Sequence, residues 1–252
     1  MHGLVGKSGI VAGGGRGIGA ATARRLAQEG ACVVIGDLHA EWAEATAQRI
    51  RSDGGKAIGV ALNITDPQSV QALVATAVEA HGGLDFFHAN AAGGTEGDID
   101  ALNCPLEVFD RSIDINLRSY FICTQAALPA LLERGGGAMI YTSSGAAYGG
   151  APWQVAYPVA KNGIHALMRH VAARWGKEGI RANVVAPGLV LTEAVREHLT
   201  DEYVEKGLAR VPNRRLGKPE DIAGMVAFLA SDDGEWVNGQ VFSVNGGAAM
   251  RD

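Results

Sequence analysis

The sequence predicts an α/β fold in which one doubly wound parallel sheet of about seven strands is covered by helices on both faces. Short apolar runs alternate along the chain with longer segments of helical periodicity, and strands separated by helices pair in parallel through right-handed crossovers. No linker, repeat or low-complexity tract interrupts this alternation. Residues 1–252 are therefore expected to form a single domain.

Six of these strands can be located, each as a buried apolar run that ends at a glycine, a polar residue or a turn. Helical periodicity indicates helices over 18–28, 41–51, 106–132 and 157–175. A further helix follows Asp66 and Pro67, which supply a cap and a first-turn proline. The predicted strands are 10–12, 31–35, 57–62, 84–89, 138–142 and 181–186.

Composition and charge narrow the class of protein. Hydrophobic residues make up 47% and charged residues 19% of the chain, which is enough for a substantial core and too apolar for disorder. The net charge is −5 and no block of Lys or Arg occurs, so nucleic-acid binding is not expected. No charged leader precedes an apolar stretch, and no apolar run approaches the roughly 18 residues of a membrane span. We expect a soluble, cytoplasmic protein without membrane association.

The cysteines and histidines do not form a metal-binding pattern. Cys32, Cys104 and Cys123 are unevenly spaced and belong to neither a CxxC motif nor a Cys/His cluster, as expected for reduced packing residues. The histidines likewise lack partners at metal-ligand spacing. No catalytic metal is expected.

A glycine-rich run, GGGRGIG at residues 13–19, lies between the first predicted strand and the first predicted helix. Glycines at such a place let the backbone approach a pyrophosphate, and the helix N-terminus attracts its negative charge. The alternative is a merely flexible turn. The position between strand and helix favours dinucleotide binding.

Asp37 ends the second strand, eighteen residues after Gly19. A carboxylate there can bind the hydroxyls of an adenosine ribose, and its charge repels a ribose 2′-phosphate. This favours NAD over NADP. Arg16 acts in the opposite direction, because a guanidinium near the ribose attracts a phosphate, but it has to overcome Asp37. The alternative for Asp37 is a cap for the helix that follows.

The run Tyr157-Pro158-Val159-Ala160-Lys161 places a phenol and an ammonium one helical turn apart, with Ser144 thirteen residues upstream. A cation at roughly 4 Å stabilises a phenolate by on the order of 4 kcal/mol, or about three pKa units. We therefore expect the pKa of Tyr157 to lie near working pH. The alternative is a Tyr and a Lys that merely decorate a helix surface.

Taken together in chain order, these residues resemble the short-chain dehydrogenase/reductase family over essentially the whole chain. The glycine run matches the family's TGxxxGxG loop, with Ala12 in place of threonine. The family's NNAG segment corresponds to residues 89–92, where Ala89 and Ala92 replace an asparagine and a glycine. The tail segments 215–221 and 237–240 also look like the family's C-terminal region. The resemblance implies a Rossmann-type fold.

The resemblance also implies the chemistry. Hydride transfer is expected between nicotinamide C4 and a carbinol carbon, with Tyr157 as general base or acid. Lys161 is expected to lower the pKa of Tyr157 and hold the ribose hydroxyls, and Ser144 to hydrogen-bond the substrate oxygen. Asn116 is expected to anchor a water that links Lys161 to solvent. The alternatives are a turn cap for Ser144 and a backbone hydrogen bond for Asn116; His88 is read as a core histidine.

The remaining site residues follow from the same resemblance. The expected dinucleotide-binding residues are Gly13, Gly15, Arg16, Gly17, Ile18, Gly19, Asp37, Leu38, Asn63, Ile64, Asn90, Ala91, Tyr157, Lys161, Pro187, Gly188, Val190 and Thr192. The expected substrate-binding residues are Ser144, Ala146, Trp153, Gln154, Tyr157 and Leu189. A lid over about 192–215, including Val195, His198, Leu199 and Tyr203, is expected to close a mostly apolar pocket for a secondary alcohol or ketone.

Two other functions compete with an NAD-dependent dehydrogenase. An NADP-dependent 3-oxoacyl reductase shares nearly all the motifs, and Asp37 argues against it. A non-catalytic dinucleotide sensor or scaffold has no need of Ser144, Tyr157 and Lys161 together. The resemblance further implies a homotetramer in which the helices carrying Asn116 and Tyr157, and the segment 241–252, contact partner subunits.

Overall fold

Seven parallel strands form the centre of the computed structural model, which describes residues 1–198 and 200–250. In this part of the chain the strand order is β3-β2-β1-β4-β5-β6-β7, and every neighbouring pair is parallel. The predicted α/β class and doubly wound sheet are confirmed. The strands are β1 (Ser8–Ala12), β2 (Cys32–Asp37), β3 (Lys56–Ala61), β4 (Phe86–Ala89), β5 (Gly137–Thr142), β6 (Ile180–Pro187) and β7 (Val241–Val244).

The strand that the sequence did not locate is β7. It has four residues, lies at the edge of the sheet and pairs only with β6 among the described residues. Its side chains are half-buried or exposed, so it lacks the fully apolar run that marks the central strands.

Helices cover both faces of the sheet. Asp66 caps the third helix as predicted, because its carboxylate accepts a hydrogen bond from the Gln68 N–H at 3.0 Å and Pro67 follows it. The helices are α1 (Gly17–Gln28), α2 (Ala40–Ser52), α3 (Pro67–His81), α4 (Leu106–Ile113), α5 (Ser119–Glu133), α6 (Ala156–Trp175), α7 (Glu193–His198), α8 (Asp201–Ala209) and α9 (Pro219–Ala230).

The helix predicted over 106–132 is not continuous. One π-helical turn, Asp114–Arg118, separates α4 from α5 and contains Asn116. The buried Asn116 amide donates to the backbone carbonyl of Ser112 at 3.0 Å, one turn earlier. A side chain that inserts into the helical ladder in this way widens the turn, and such turns are frequent at functional sites.

The core is split into two layers by the sheet. Neighbouring strand residues point to opposite faces, so Ile10 and Phe87 pack with α3, α5 and α6, whereas Val11 and Phe86 pack with α1, α2 and α9. Each fully buried large side chain contributes about 1.5–3 kcal/mol, so both layers stabilise the sheet. The sheet is therefore a rigid platform.

The strand order reverses at the centre of this platform. The chain proceeds outward from β1 to β2 and β3 on one side, and returns to β4 on the other. In open α/β sheets, ligands bind beyond the carboxyl ends of the strands at such a switch point. Ala12 and Ala89, the last residues of β1 and β4, pair in register there and are both buried. The loops that follow them frame the candidate site.

Candidate active site

A cavity of about 1060 Å³ lies at the carboxyl ends of the strands, beside the switch point. It is continuous from the glycine-rich turn to Ser144, so it joins the two halves of the predicted site. The predicted residues that line it are Gly13, Arg16, Gly17, Ile18, Asp37, Leu38, Asn63, Ile64, Asn90, Ala91, Ser144, Gln154, Tyr157, Lys161, Pro187, Gly188, Leu189, Val190 and Thr192.

The glycine-rich turn packs so closely against its neighbours that it leaves no room for side chains at two positions. Gly13 has a φ of +80°, and a Cβ there would lie 2.6 Å from the Ala91 backbone. A Cβ on Gly19 would lie 1.9 Å from the Gly13 carbonyl oxygen. Gly19 therefore packs α1 against the turn instead of lining the cavity. The bare N-terminus of α1 points a positive dipole end toward the space that a pyrophosphate would fill.

Asp37 is fixed at the neighbouring end of the cavity. Its carboxylate accepts hydrogen bonds from the Gly15 N–H at 2.9 Å and from the His39 N–H at 3.2 Å. Gly15 does not line the cavity, and its N–H orients the Asp37 carboxylate. The oxygen that accepts from His39 N–H lies beside the residue that precedes α2, and the side chain also lines the cavity.

Arg16 is held by two partners that the sequence reading missed. Its guanidinium lies 4.7 Å from the centre of the Trp42 ring, and its Nη2 lies 3.3 Å from a Glu197 carboxylate oxygen on α7. The Trp42 ring also packs against His39, with ring centres 3.9 Å apart. Trp42 lies in the first turn of α2 and forms part of the cavity wall. An aromatic residue at this position, soon after Asp37, is the sequence signal that could have predicted this part of the wall.

Tyr157 and Lys161 lie in α6, which begins at Ala156, one residue before the predicted start, and has Pro158 in its first turn. Lys161 is fully buried, and its Nζ lies 5.7 Å from the centre of the Tyr157 ring. The ammonium donates to the Tyr120 hydroxyl at 3.0 Å and to the Thr142 carbonyl at 3.1 Å. Tyr120 was not among the predicted site residues.

Burial dominates the ionisation of this pair. Desolvation lowers the pKa of Lys161 to about 7. Desolvation raises the pKa of Tyr157, and a hydrogen bond with the Ser144 hydroxyl acts in the opposite direction without cancelling it. Our expectation that Lys161 alone brings the pKa of Tyr157 near working pH is therefore wrong for the chain without a dinucleotide. The free energy of burying the two groups exceeds the Coulomb attraction between them.

Ser144 caps a turn and also lines the cavity. Its Oγ accepts a hydrogen bond from the Ala146 N–H at 3.1 Å, which caps a short turn. Its hydrogen bond with Tyr157 joins it to the buried phenol in the cavity. Ala146 itself does not line the cavity, and neither does Trp153, whose residue is 62% exposed.

Comparisons with known proteins agree with this arrangement. A family model described as enoyl-(acyl carrier protein) reductase, one of the short-chain dehydrogenase/reductase models, matches residues 12–249. An L-rhamnose 1-dehydrogenase (NAD(P)(+)) of a Sphingomonas species is 40% identical over 250 residues, covering 97% of this chain and 96% of the relative. An uncharacterized oxidoreductase of Mycobacterium tuberculosis is 40% identical over 247 residues, covering 97% and 98%.

The structural comparison points the same way. The solved structure of a 7α-hydroxysteroid dehydrogenase complexed with NADH and 7-oxo glycochenodeoxycholic acid superposes with a TM-score of 0.91 at 35% identity, covering 98% of this chain and 96% of that one. A 7α-hydroxysteroid dehydrogenase of Escherichia coli is 36% identical over 247 residues, covering 98% and 96%. The chain belongs to the short-chain dehydrogenase/reductase family. It is an oxidoreductase for NAD(P)-dependent interconversion of alcohols and ketones.

Asn116, at the family's helix-asparagine position, makes backbone hydrogen bonds and does not line the cavity. Its amide nitrogen donates to the carbonyls of Gly93 at 2.8 Å and Ser112 at 3.0 Å, which uses both amide protons. Its amide oxygen lies 3.4 Å from the Gly93 nitrogen. Asn116 therefore ties the cavity-lining Gly93 loop to the end of α4.

Asp98 holds the first turn of the family's catalytic helix. Its carboxylate accepts hydrogen bonds from the N–H groups of Val155, Ala156 and Tyr157 at 3.0, 2.9 and 2.9 Å. Pro158 has no N–H to satisfy, so this one side chain meets the free donors of the first turn. Burial raises the pKa of Asp98, but the three backbone hydrogen bonds outweigh it and the pKa lies below its ordinary value.

His88 is buried and lies outside the cavity lining. Its Nε2 lies 2.8 Å from the Thr142 hydroxyl, which donates to the Asn90 amide oxygen at 3.1 Å. Asn90 in turn donates to the Gly13 carbonyl at 2.9 Å. Desolvation lowers the pKa of His88 to about 3, so the ring is neutral. It helps to orient the Asn90 side chain through the Thr142 hydroxyl.

Residues 1–198 and 200–250 contain neither a metal-binding cluster nor a membrane-spanning helix. No three His, Cys, Asp or Glu side chains lie together where they could hold a metal ion. No helix in the same ranges combines the length and apolar character needed to cross a membrane.

Proposed function

We propose that this chain is an NAD-dependent oxidoreductase that moves a hydride between nicotinamide C4 and the carbon of a secondary alcohol or ketone, with Tyr157 as the proton-transferring group. One observation carries the proposal. Ser144, Tyr157 and Lys161 line the same cavity as the glycine-rich turn and Asp37, so a bound dinucleotide can reach from one set to the other.

The residues present fit a dinucleotide. Gly13 and Gly17 line the cavity at the N-terminus of α1, where a pyrophosphate would lie. Asp37 would accept hydrogen bonds from the adenosine ribose, and Asn63 and Ile64 would contact the adenine. Asn90 and Ala91 would line the middle of the cofactor, and Pro187, Gly188, Val190 and Thr192 its nicotinamide half. The cofactor supplies the hydride chemistry, while the protein supplies position and electrostatics.

The preference for NAD follows from the charges at the ribose end. Asp37 is held in place by two backbone N–H groups, and its charge opposes a 2′-phosphate. Arg16 is stacked on Trp42 and paired with Glu197, so a 2′-phosphate would have to compete for it. Both observations favour NAD over the NADP-dependent 3-oxoacyl reductase alternative.

Proton transfer is assigned to Ser144, Tyr157 and Lys161. Tyr157 would take the hydroxyl proton of an alcohol, and Ser144 would hydrogen-bond the substrate oxygen as charge develops on it. Lys161 would hold the nicotinamide ribose and favour the phenolate. Asn116 would hold the water path between Lys161 and solvent. Since burial raises the pKa of Tyr157 in the free chain, a positive charge in the loaded site is needed to bring it toward working pH.

The substrate enclosure is assigned to the lid over about 192–215. The helices α7 and α8 occupy this segment, and Val195, together with Gln154 and Leu189, lines the cavity. Leu199 lies outside the described residues. The mostly apolar wall supports a secondary alcohol or ketone as the substrate. The relatives named as hydroxysteroid and rhamnose dehydrogenases support the same substrate class. Arg111, which was not among the predicted site residues, also lines the cavity.

The assembly and location complete the proposal. Leu106, Phe121 and Val159 are exposed apolar side chains on the helices next to Asn116 and Tyr157, which supports packing against partner subunits in a homotetramer. The segment 241–252 is assigned to a second contact, although residues 251–252 lie outside the described part. We assign the chain as a single domain, 1–252, that works in the cytoplasm.

A panel of secondary alcohols and ketones, followed by nicotinamide absorbance with NAD and with NADP, tests the function. Turnover with NAD at a higher kcat/KM than with NADP is expected. Turnover with NADP alone would favour the 3-oxoacyl reductase alternative. Binding of NAD without turnover of any substrate in the panel would favour a dinucleotide sensor.

A further inference from the structure

Tyr120 contacts the catalytic lysine from a different helix. It lies on α5, is buried, and its hydroxyl accepts a hydrogen bond from the Lys161 ammonium at 3.0 Å. The same hydroxyl lies 3.0 Å from the Thr142 carbonyl and 3.1 Å from the Ala91 carbonyl. A phenol has one proton, so it donates to one of these carbonyls at a time while it accepts from Lys161.

The charged form of Lys161 depends on this contact, because the buried ammonium has few other hydrogen-bond acceptors to replace its lost hydration. Within the described residues its ammonium bonds the Tyr120 hydroxyl and the Thr142 carbonyl, and it forms no ion pair. The Lys161 side chain is fully buried, and a buried ammonium without enough acceptors gives up its proton. Each neutral acceptor therefore helps to keep it charged.

We propose that Tyr120 is a positioning residue: its hydroxyl, fixed beside the carbonyls of Ala91 and Thr142, accepts from the Lys161 ammonium and keeps it charged, ready for the nicotinamide ribose. The inference rests on the proposed role of Lys161. It assigns to Tyr120 a second function beyond packing, because the bond to Ala91 also links the lysine to a residue of the dinucleotide-binding cavity wall.

Tyr141 shows what a purely structural tyrosine does at nearly the same place. Its ring packs on Tyr120 with centres 6.3 Å apart, it is equally buried, and its hydroxyl bonds Thr124 at 2.9 Å. It makes no hydrogen bond with Lys161. Tyr141→Phe is therefore the matched control for Tyr120→Phe, because both remove one buried hydroxyl from the α5–β5 packing.

Other titratable groups surround the lysine and have to be distinguished from it. Tyr157 shares α6, Cys123 shares α5 with Tyr120, and His88 approaches from β4 through Thr142. Burial raises the pKa of Cys123 to about 12 and lowers that of His88 to about 3, so neither changes charge near pH 7. His165, whose Nε2 lies 2.8 Å from the Ser143 hydroxyl, is one turn along α6 from Lys161, so its ring is followed in the same experiment.

The direct test needs neither substrate nor cofactor. Protein carrying ¹³Cε-lysine is titrated by NMR as wild type, Tyr120→Phe and Tyr141→Phe, with the Lys161 signal assigned by its loss in Lys161→Met. Removing one acceptor from the ammonium should lower the Lys161 titration midpoint by about one pH unit in Tyr120→Phe. Tyr141→Phe should leave the midpoint where it is. Equal midpoints in wild type and Tyr120→Phe, or an equal shift in both variants, would overturn the inference.

A second measurement does not require the Tyr120 variant to fold. In wild type labelled with ¹³Cζ-tyrosine, the Tyr120 signal should follow the Lys161 midpoint, whereas the Tyr141 signal should not. A Tyr120 signal that ignores the lysine titration would contradict the contact.

Equilibrium NAD binding adds a functional readout. Affinity should fall as pH rises through the Lys161 pKa, and that fall should begin about one pH unit lower in Tyr120→Phe than in Tyr141→Phe. A uniform loss of affinity at every pH would indicate a structural role and contradict ours. If wild type turns over no alcohol, the proposed function fails, while the NMR midpoints still decide the role of Tyr120.

Discussion

At the scale of single residues, the free energy of burial decides how the catalytic groups ionise. Tyr157, Lys161 and Ser144 could be predicted because their spacing is local, and Asp37 because it ends a strand. The direction of the pKa shifts could not, because spacing does not reveal that Lys161 becomes fully buried and that desolvation exceeds the attraction between the two groups. Tyr120 was missed for a related reason, since it approaches from a separate helix.

Lys161→Met should stabilise the chain without a dinucleotide. The pKa of Lys161 falls from an ordinary value of about 10.4 to about 7, so the folded state binds fewer protons than the unfolded state between these values and stability rises with pH there. The stabilisation by the variant should therefore be greatest below pH 7, on the order of a few kcal/mol, and shrink toward pH 10. Urea unfolding at pH 6 and pH 9 measures it. A difference that does not change with pH would contradict the assignment.

Asp37→Ala should weaken the preference for NAD. Removing the carboxylate removes both the bond to the ribose hydroxyls and the repulsion of a 2′-phosphate, so the ratio of kcat/KM for NAD to that for NADP should fall about tenfold or more. Steady-state kinetics with both cofactors measures this ratio. Asp53→Ala, at the far end of α2 and outside the cavity lining, is the control and should leave it unchanged. A wild type that already prefers NADP would contradict the assignment.

At the scale of elements, the start of α6 depends on a loop distant in sequence. Asp98 lies 57–59 residues before the three N–H groups that it accepts from, so no local pattern indicated this cap. The π-helical turn at Asn116 was missed for a different reason: hydrophobic periodicity continues through it, and only the amide's bonds to Ser112 and Gly93 reveal the widened turn.

Asp98→Ala should destabilise the chain by about 0.5–2 kcal/mol and lower kcat more than it raises KM for NAD, because the first turn of α6 carries Tyr157. Asp98→Asn should lose less, since its single oxygen can still accept from Val155 and Ala156. The pKa of Asp98 is lowered, so its contribution is present above the unfolded pKa of about 3.9 and is lost as pH falls through the lower folded value. Denaturant unfolding at pH 7 and pH 3 checks this. Identical stability of the alanine variant and wild type at pH 7 would exclude the cap.

At the scale of the whole molecule, the alternation of strands and helices predicted the sheet and six of its strands. It left out β7, whose four partly exposed residues at the sheet edge carry a weak apolar signal. Glycine spacing indicated that the turn before α1 would lie at the site, and residues of this turn line the cavity. The wall formed by Trp42 and the fixed position of Arg16 could not be predicted, because they require the fold to bring α1, α2 and α7 together.

Phe121→Glu should break the proposed tetramer. Phe121 is 48% exposed on α5, and a charge there would be buried without a partner in a subunit interface. Light scattering after size exclusion should show a mass below that of the wild-type assembly. Trp236→Glu places the same charge at a residue that is 99% exposed and outside these helices, and it should keep the wild-type mass. A monomeric wild type would contradict the assembly.

The most direct measurement is turnover by Tyr157→Phe. The phenylalanine ring keeps the packing in the cavity and removes the hydroxyl that bonds Ser144. Because general acid–base catalysis contributes about 10²–10⁴-fold, kcat should fall by at least about 10² while the Kd for NAD changes little. A kcat near that of wild type, with NAD bound normally, would show that Tyr157 does not transfer the proton.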